Sequence, residues 1–319
     1  MKNYVAATVL DSSLIEVRHD RDWSIFLGVL IAFVFCLTVS WLAVIEGFVR
    51  LKIPFAFTTG EHNVGEFLRA LYTPRAEVAI VGSSLSKRLE PGLFNKTTLV
   101  NFSVGGGSVM TGLEVLKSQK YLPKTILVEI NVLDRQIDQE LADKGKAASK
   151  SLVWAVFSGD TKPLRYVLTQ PRLSYVPAQV QSAWWNTKRS SSLSQKAAEY
   201  DLRATISAGT ALWDKRNSWD VASQNFKRIA ELILEFESRG TRVYLLYLPY
   251  AAGYDEHTYA KRNRKIASGS DTFRCARCID VRELVDVNDL RWADGAHLDD
   301  RSAAIVADAL QKRLLAGQL

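Results

Sequence analysis

The chain has 319 residues, of which 47% are hydrophobic and 24% charged, a composition typical of a folded globular protein rather than a disordered one. This length is enough for one large domain with a full core or for two small domains. The formal net charge of +7 comes from scattered basic residues with one local cluster, KRNRK at 261–265, and no zinc-finger, aromatic RNA-binding or recognition-helix pattern accompanies them. We therefore expect no nucleic-acid partner.

The first element along the chain is an uncharged apolar run, IFLGVLIAFVFCLTVSWLAVI at 25–45. A helix of this length spans a hydrocarbon core of about 30 Å, and Trp23 and Trp41 lie near its ends, as interfacial aromatic residues often do. The alternatives are a buried core helix and a signal peptide, but the run is long for a signal core and no small-residue cleavage site follows it. We predict a membrane-spanning helix over 24–48, after a cytoplasmic tail over 1–23 and before a connector over 49–73.

Short apolar runs alternate with helical patterns from residue 74 onwards. Buried parallel strands have this form, continuous and rich in β-branched residues. The alternation predicts an α/β fold, a three-layer α/β/α sandwich of flavodoxin-like type with helices on both faces of a mainly parallel five-stranded sheet. The strands are predicted at 77–82, 97–102, 125–130, 241–249 and 278–281.

Three predicted helices have a clear apolar face. The helix that begins at Trp219 is expected to end at Gly240, because glycine adopts the backbone conformation that stops a helix. Each helix should pack on the sheet through its apolar face. The predicted inward residues are Val109, Leu113 and Leu116 in the first helix, Phe226, Ile229, Ile233 and Phe236 in the second, and Ile305, Ala309 and Leu310 in the closing helix.

The alternation stops between about 136 and 217, where helix-forming residues, serine-rich patches and tryptophans replace it. We predict a helical insertion there, within a single domain over 74–319. The tryptophans are expected to pack in the protein core, with stacking on sugar rings as the functional alternative. These residues are Trp154, Trp184, Trp185, Trp213 and Trp219.

Candidate catalytic residues come from opposite ends of the chain. Gly82-Ser83-Ser84 follows the first predicted strand, where a parallel sheet places its active groups, although either serine could serve only as a helix cap. Asp294 and His297 lie three residues apart in a turn before the closing helix. A histidine can take the proton of a serine hydroxyl, and an aspartate can hold the required imidazole tautomer. The three residue types together predict a nucleophilic serine site.

These motifs, in this order, resemble those of the SGNH (GDSL-like) hydrolase superfamily, from the first strand to the end of the chain and with the insertion excepted. In that family Gly-x-Ser follows the first strand, which implies that Ser84 is the nucleophile. The family's Asp-x-x-His before the last helix implies that Asp294 and His297 are its partners. The second family block, Asn-x-x-x-x-Gly, matches 101–106 and implies that the Gly106 N–H donates to the oxyanion together with the N–H of Ser84.

The third family block, Gly-x-Asn-Asp, is not reproduced, since residues 131–134 read Asn-Val-Leu-Asp. Leu133 has no side-chain donor where the family has an asparagine. Either Asn131 substitutes for it, or the oxyanion hole has fewer donors, and the loss of one donor costs about 3 kcal/mol of transition-state stabilisation. A slower hydrolase or a different acceptor would follow.

An apolar anchor before such a domain resembles two membrane-anchored branches of the family. One comprises the O-acetyltransferases and acetylesterases of cell-surface polysaccharide assembly, as in alginate-type systems, and the other is the D-alanyl transfer protein of teichoic acid modification. The resemblance implies a serine-dependent O-acyl transferase or esterase that forms an acyl-enzyme on Ser84.

The same resemblance implies a place in the cell and a set of partners. It implies a catalytic domain outside the cytoplasmic membrane, in the periplasm. The few charges that flank the apolar run do not decide its orientation, so this location comes from the resemblance. The implied partners are a polysaccharide, the membrane and a multi-span membrane acyltransferase, with no cofactor. A lipid-directed esterase and a non-catalytic scaffold of an envelope complex remain alternatives, and Leu133 favours the scaffold.

No metal site is predicted from the remaining histidines and cysteines. His19, His62 and His257 have no carboxylate cluster at metal spacing and are expected on the surface. Cys275 and Cys278 lack the two further ligands that a zinc site needs, and form either a local disulfide or a pair of thiols.

Overall fold

The computed structural model describes residues 23–40, 59–73, 76–150, 201–216, 218–269 and 278–316. The chain divides into two compact units, Met1–Ala56 and Phe57–Leu319.

The first unit contributes one described helix, α1 (Trp23–Ser40). Its mean hydropathy is 2.3 and none of it is buried inside the protein, so α1 is long and apolar enough to cross a membrane. The predicted tail up to residue 22 and the predicted end of the span, 41–48, lie outside the described residues.

The second unit alternates strands and helices in the predicted order, and each strand is slightly shorter than predicted. The strands are β1 (Val78–Val81), β2 (Leu99–Asn101), β3 (Thr125–Glu129), β4 (Arg242–Tyr247) and β5 (Cys278–Asp280). The helices are α2 (Thr59–Tyr72), α3 (Val109–Lys117), α4 (Gln139–Lys150), α5 (Leu202–Arg216), α6 (Trp219–Ser238), α7 (Ala252–Asp255), α8 (Thr258–Ser268) and α9 (Asp300–Leu315).

The five strands form one parallel sheet in the order β2-β1-β3-β4-β5. Val78 of β1 lies opposite Leu99 on one side and Thr125 on the other. This is the strand order of flavodoxin-like sheets, in which the connections diverge between β1 and β3 and open a crevice at the carboxyl edge. The predicted α/β fold with a parallel five-stranded sheet is therefore confirmed.

Helical segments cover both faces of the sheet. The connections from β2 onwards all run in one direction, and their helices α3, α6 and α8 contact one another in series. The connection from β1 to β2 runs the other way, through 3₁₀ turns at Ser86–Arg88 and Pro91–Leu93, so a right-handed crossover places it on the opposite face. Helix α9 contacts the second of these turns, and Gln311 bonds to Lys96 N and to Asn95.

The apolar faces of α3 and α6 are buried as predicted. Helix α6 begins at the cap Ser218, whose hydroxyl accepts from Val221 N at 3.3 Å. It ends before Gly240, which has a φ of 84°.

The predicted inward face of α9 is partly wrong, because Ile305 and Ala309 are only half-buried. The buried stripe includes alanines, which let the helix approach its neighbours closely. Its members are Ala303, Val306, Ala307 and Leu310.

Helix α2 lies in the predicted connector yet belongs to the second unit. It contacts α4 and β2, and the ring of Phe67 lies 5.8 Å from that of Phe102. Val64, Leu68 and Leu71 join Phe67 at helical spacing, and this apolar stripe packs into the core. Residue 74 is therefore not the start of the globular unit.

Only the two ends of the predicted insertion are described, and they contain α4 and α5. Residues 151–200, with Trp154, Trp184 and Trp185, lie outside the described residues. The ring of Trp213 on α5 lies 4.5 Å from that of Tyr254 and 4.7 Å from that of Tyr259, so this tryptophan packs among core aromatic side chains.

Candidate active site

Ser84 lies just beyond the carboxyl end of β1, beside the crevice where the connections of the sheet diverge. The chain turns tightly there, because Lys87 N donates to Ser83 O at 3.1 Å. Ser84 is half-exposed, whereas Ser83 and Ser86 on either side of it are buried. Of the three serines in this turn, only Ser84 is therefore open to a substrate.

The three predicted catalytic side chains form one hydrogen-bonded chain. His297 Nε2 lies 2.8 Å from Ser84 Oγ, and His297 Nδ1 lies 2.7 Å from Asp294 Oδ2. Both distances are within the range that proton transfer between a nucleophile, a base and an orienting carboxylate requires. The fold thus brings Ser84 to a histidine that lies 213 positions away in the chain.

The turn that carries His297 is built around Asp294 and Gly295. Asp294 Oδ1 accepts from His297 N at 2.7 Å and from Ala296 N at 3.1 Å. Gly295 has a φ of 80°, and a Cβ there would lie 2.8 Å from the ring of Tyr254. One carboxylate oxygen therefore fixes the turn, while the other oxygen holds the imidazole.

The carboxyl group of Asp294 is charged at neutral pH. Burial raises its pKa, but hydrogen bonds from the side chain and backbone of His297 outweigh burial and lower the pKa to about 2. The charged carboxylate keeps the imidazole proton on Nδ1, so the Nε2 lone pair faces the Ser84 hydroxyl. The arrangement can accept the proton of Ser84 as the oxygen attacks a carbonyl.

A buried carboxylate, which sequence reasoning missed, lies beneath the Ser84 turn. Glu129 Oε2 accepts from Ser83 N at 2.8 Å, from Ser86 N at 3.1 Å and from Ser86 Oγ at 2.6 Å, while Oε1 accepts from Ser83 Oγ at 2.7 Å. Glu129 is only 1% exposed. The sequence signal was an acidic residue at the end of the apolar strand TILVE.

The close fit between Glu129 and the turn explains why residue 82 is a glycine. A Cβ at Gly82 would lie 2.2 Å from Ser86 Oγ and 2.5 Å from Glu129 Oε2, closer than real Cβ atoms approach. Glycine therefore leaves the space through which the carboxylate reaches the turn.

Asn101, the first residue of the second family block, supports the same turn. Its Nδ2 donates to Ser86 O at 2.9 Å and to Leu89 O at 3.0 Å, and its Oδ1 accepts from Ser103 N at 2.8 Å. These bonds tie the loop after β2 to the loop after β1.

The predicted oxyanion donor Gly106 does not line the cleft of Ser84. It is exposed, with a φ of 75°, and it borders a neighbouring cleft. Gly105 lines the Ser84 cleft instead, and its N–H donates to Asn63 Oδ1 at 2.9 Å. The left-handed backbone at Gly106 turns this part of the loop towards solvent.

The predicted second donor, Asn131, is also elsewhere, and this assignment is corrected. Asn131 is 0% exposed, its Nδ2 donates to Leu248 O at 2.7 Å, and its Oδ1 accepts from Leu248 N at 2.8 Å. It bridges the chain segments that leave β3 and β4, because the amide matches a peptide group in its donor and acceptor. Leu133 is buried in the core.

The cleft at Ser84 has a volume of about 520 Å³, and most of the residues that line it have polar or charged side chains. Helix α2 supplies part of its wall, including His62, which was expected on the surface. Burial lowers the pKa of Lys87, which also lines the cleft, and the nearby charge of Glu66 partly offsets this effect. The lining residues are Thr59, His62, Glu66, Ser84, Lys87, Arg88, Glu90, Pro91, Asn101, Ser103, Gly105, Asp294 and His297.

The remaining histidine and cysteine predictions have separate outcomes. His257 is half-buried, and its Nδ1 accepts from Tyr259 N at 3.2 Å at the start of α8, so it is a helix cap. His19 and Cys275 lie outside the described residues. The described residues contain no group of three or more potential metal ligands.

Comparison of the chain with protein-family models, with curated proteins and with solved structures gives no match. The functional argument therefore depends on the geometry of the site.

Proposed function

We propose that this protein is a membrane-anchored, serine-dependent O-acyl transferase or esterase of the SGNH type. One observation carries the proposal: the Ser84–His297–Asp294 chain lies at the carboxyl edge of a parallel sheet, next to an open cleft. The half-exposed hydroxyl faces the cleft, which an inert buried network would not require.

The reaction begins with attack of Ser84 Oγ on the carbonyl carbon of an acyl ester, while His297 Nε2 takes the hydroxyl proton. The tetrahedral intermediate collapses, the bond to the alcohol oxygen breaks, and His297 gives its proton to the departing alcohol. The acyl group is then an ester of Ser84. Water or a second alcohol attacks this ester, loses its proton to His297 and releases Ser84, which regains its proton.

The lining of the cleft favours a short acyl group and a hydrophilic alcohol. Among the described residues that line it, Pro91 has the only hydrophobic side chain, so the cleft has no cluster of hydrophobic side chains to hold a long acyl chain. We therefore propose a polysaccharide as the substrate, in preference to a lipid. Its esterified hydroxyl groups would donate the acyl group, or its free hydroxyl groups would accept it.

The anchor gives the proposed location. Helix α1 would hold the enzyme in the cytoplasmic membrane with the globular unit in the periplasm. A multi-span membrane acyltransferase would there deliver acyl groups to the site.

The experiment is intact-mass measurement of the full chain after incubation with p-nitrophenyl acetate, a small activated acetyl ester. We expect a gain of one acetyl group that peptide mapping assigns to Ser84 and that Ser84→Ala abolishes. Ser83→Ala is the matched control and should still be acetylated, because Ser83 faces the buried carboxylate. Equal acetylation of wild type and Ser84→Ala would contradict the proposal.

A chase experiment separates transfer from hydrolysis. The acetylated protein is transferred to buffer with or without an unacetylated polysaccharide. Faster loss of the acetyl group with polysaccharide, and its appearance on the sugar, indicates a transferase. Equal loss in both indicates an esterase.

A further inference from the structure

The turn after β1 presents its side chains in two pairs, each spaced by three residues. Ser83 and Ser86 face inwards and bond to Glu129. Ser84 and Lys87 both line the cleft. Residues three apart in a tight helical turn lie one above the other, so the Lys87 side chain enters the cleft on the same side as the nucleophile.

The ammonium group of Lys87 is held against the loop after β2. Its Nζ donates to Asn63 Oδ1 at 2.7 Å, and the Gly105 N–H donates to the same oxygen at 2.9 Å. A Cβ at Gly105 would lie 3.4 Å from Nζ. Within the described part of the chain, the bond to Asn63 is the one hydrogen bond that Nζ donates, so two ammonium hydrogens are left for the cleft.

Of the three neutral donors expected from the sequence, Gly106 and Asn131 do not serve this cleft, which leaves the Ser84 N–H. The Asn131 amide bonds to Leu248, and Gly106 borders a different cleft. The Gly105 N–H is directed to Asn63. When Ser84 attacks an acyl carbonyl, the carbonyl oxygen becomes negative. The loop after β2, where a neutral donor was expected, holds the cation Lys87 in the same cleft.

We propose that Lys87 is a further catalytic residue, whose ammonium group donates to the oxyanion formed when Ser84 attacks an acyl carbonyl. This inference rests on the proposed acyl transfer. A positive charge held in a partly desolvated cleft stabilises a developing negative charge more strongly than the same charge in water.

Other charged groups face Lys87 from each neighbouring element. Helix α2 contributes Glu66, which pairs with Arg69 at 3.2 Å, and His62. The chain after the Ser84 turn contributes Arg88 and Glu90, and the closing turn contributes Asp294 and His297. The pKa of Lys87 nevertheless lies below its ordinary value, because burial has the largest effect on it.

The test is the rate of Ser84 acetylation by p-nitrophenyl acetate in the full chain. Lys87→Met should slow acetylation about 100-fold, the effect typical of losing one oxyanion donor. The matched control is Lys124→Met, which removes the same charge from an exposed lysine outside the cleft and should stay within about threefold of wild type. Lys87→Arg should recover part of the lost rate, because it keeps a cation.

A pH profile distinguishes this role from a structural one. Wild-type acetylation should fall as Lys87 loses its proton, at a pH below the ordinary lysine value of 10.5, and Lys87→Met should lack this alkaline fall. A flat wild-type profile up to pH 10.5 would overturn the inference even if Lys87→Met does not fold.

The outcomes also separate the two proposals. If Lys87→Met and Lys124→Met leave acetylation equally fast, or slow it equally, Lys87 has no special role, although acetylation of Ser84 still supports the proposed function. If wild type itself is not acetylated on Ser84, the proposed function is contradicted, and the inference on Lys87 falls with it.

Discussion

The turn after β1 has two sides, and serine has a different role on each of them. On the inner side, which we call the floor, Ser83 and Ser86 bond to Glu129 at 2.6 to 3.1 Å. On the outer side, the cleft, Ser84 bonds to His297 and lies open to a substrate. Two serines thus stabilise the turn from within, and the serine between them faces the cleft.

The difference shows how stability and reactivity are separated within five residues. A buried carboxylate is tolerated only when hydrogen bonds replace its hydration, and the floor provides four of them. Groups so fully paired cannot act on a substrate. The cleft keeps its hydroxyl and imidazole at the surface, so a change there should affect activity, whereas a change in the floor should affect stability first.

The largest expected effect is on the cleft side, in Asp294→Asn. The asparagine amide would donate to His297 Nδ1 and force the ring proton onto Nε2, which could no longer accept from Ser84. We expect acetylation of Ser84 to slow about 10⁴-fold, while the free energy of unfolding falls by only about 1 kcal/mol because Asp294 is half-exposed. Mass spectrometry at successive times measures the acetylation rate. A rate less than tenfold below that of wild type would show that Asp294 does not set the tautomer of His297.

The next largest effect is on the floor side, in Glu129→Leu. The buried N–H groups of Ser83 and Ser86 would lose their acceptor, and each unpaired buried donor costs about 1–3 kcal/mol. We expect a loss of about 3 kcal/mol in the free energy of unfolding, measured with denaturant in detergent.

Glu129→Gln is the control for this change, because it keeps one oxygen for the two N–H groups. It should lose less than half as much stability as the leucine variant. Equal losses would mean that the charge of Glu129, rather than its role as acceptor, stabilises the turn.

The regular part of the fold was predictable because its signal is local. Five apolar runs became the five strands, and the stripe on α6 was buried as predicted, since burial on a parallel sheet demands continuous apolar residues. Helix α2 was placed outside the domain, because an amphipathic helix next to an apolar span does not reveal its partner. The inward face of α9 was missed because alanines, rather than Ile305, make the close contact.

The site was predictable in part, since motif order identified Ser84, Asp294 and His297 as candidates that the fold brings together. Their supporting residues were not predictable. Glu129 and Asn63 contact the turn from other elements, and nothing in their own neighbourhoods indicates a partner. Asn131 was misassigned because an asparagine at a strand end can face either a cleft or a neighbouring backbone.

A smaller effect is expected for Asn131→Ala, which tests this correction. Leu248 would lose the partners of its N–H and its carbonyl, so we expect a loss of about 2 kcal/mol in the free energy of unfolding. The acetylation rate of the folded variant should stay within about threefold of wild type. An oxyanion donor would instead lower the rate about 10²- to 10³-fold, and such a drop would restore Asn131 to the site.

The smallest effect concerns the acid stability that Asp294 contributes on the cleft side. Its pKa of about 2 in the folded protein lies below the ordinary value of 3.8, so the unfolded chain binds the proton more readily. The stabilisation is therefore complete above pH 3.8 and is lost as the pH falls towards 2. Because the side chain is 47% exposed, solvent screening reduces this contribution to about 1 kcal/mol.

Denaturant unfolding of wild type and Asp294→Asn from pH 6 to pH 2 measures this contribution. Asparagine does not titrate, so the difference between the two proteins should shrink by about 1 kcal/mol as the solution becomes acidic. A difference for Asp294→Asn that stays constant over this range would mean that the hydrogen bonds from His297 do not favour the charged carboxylate.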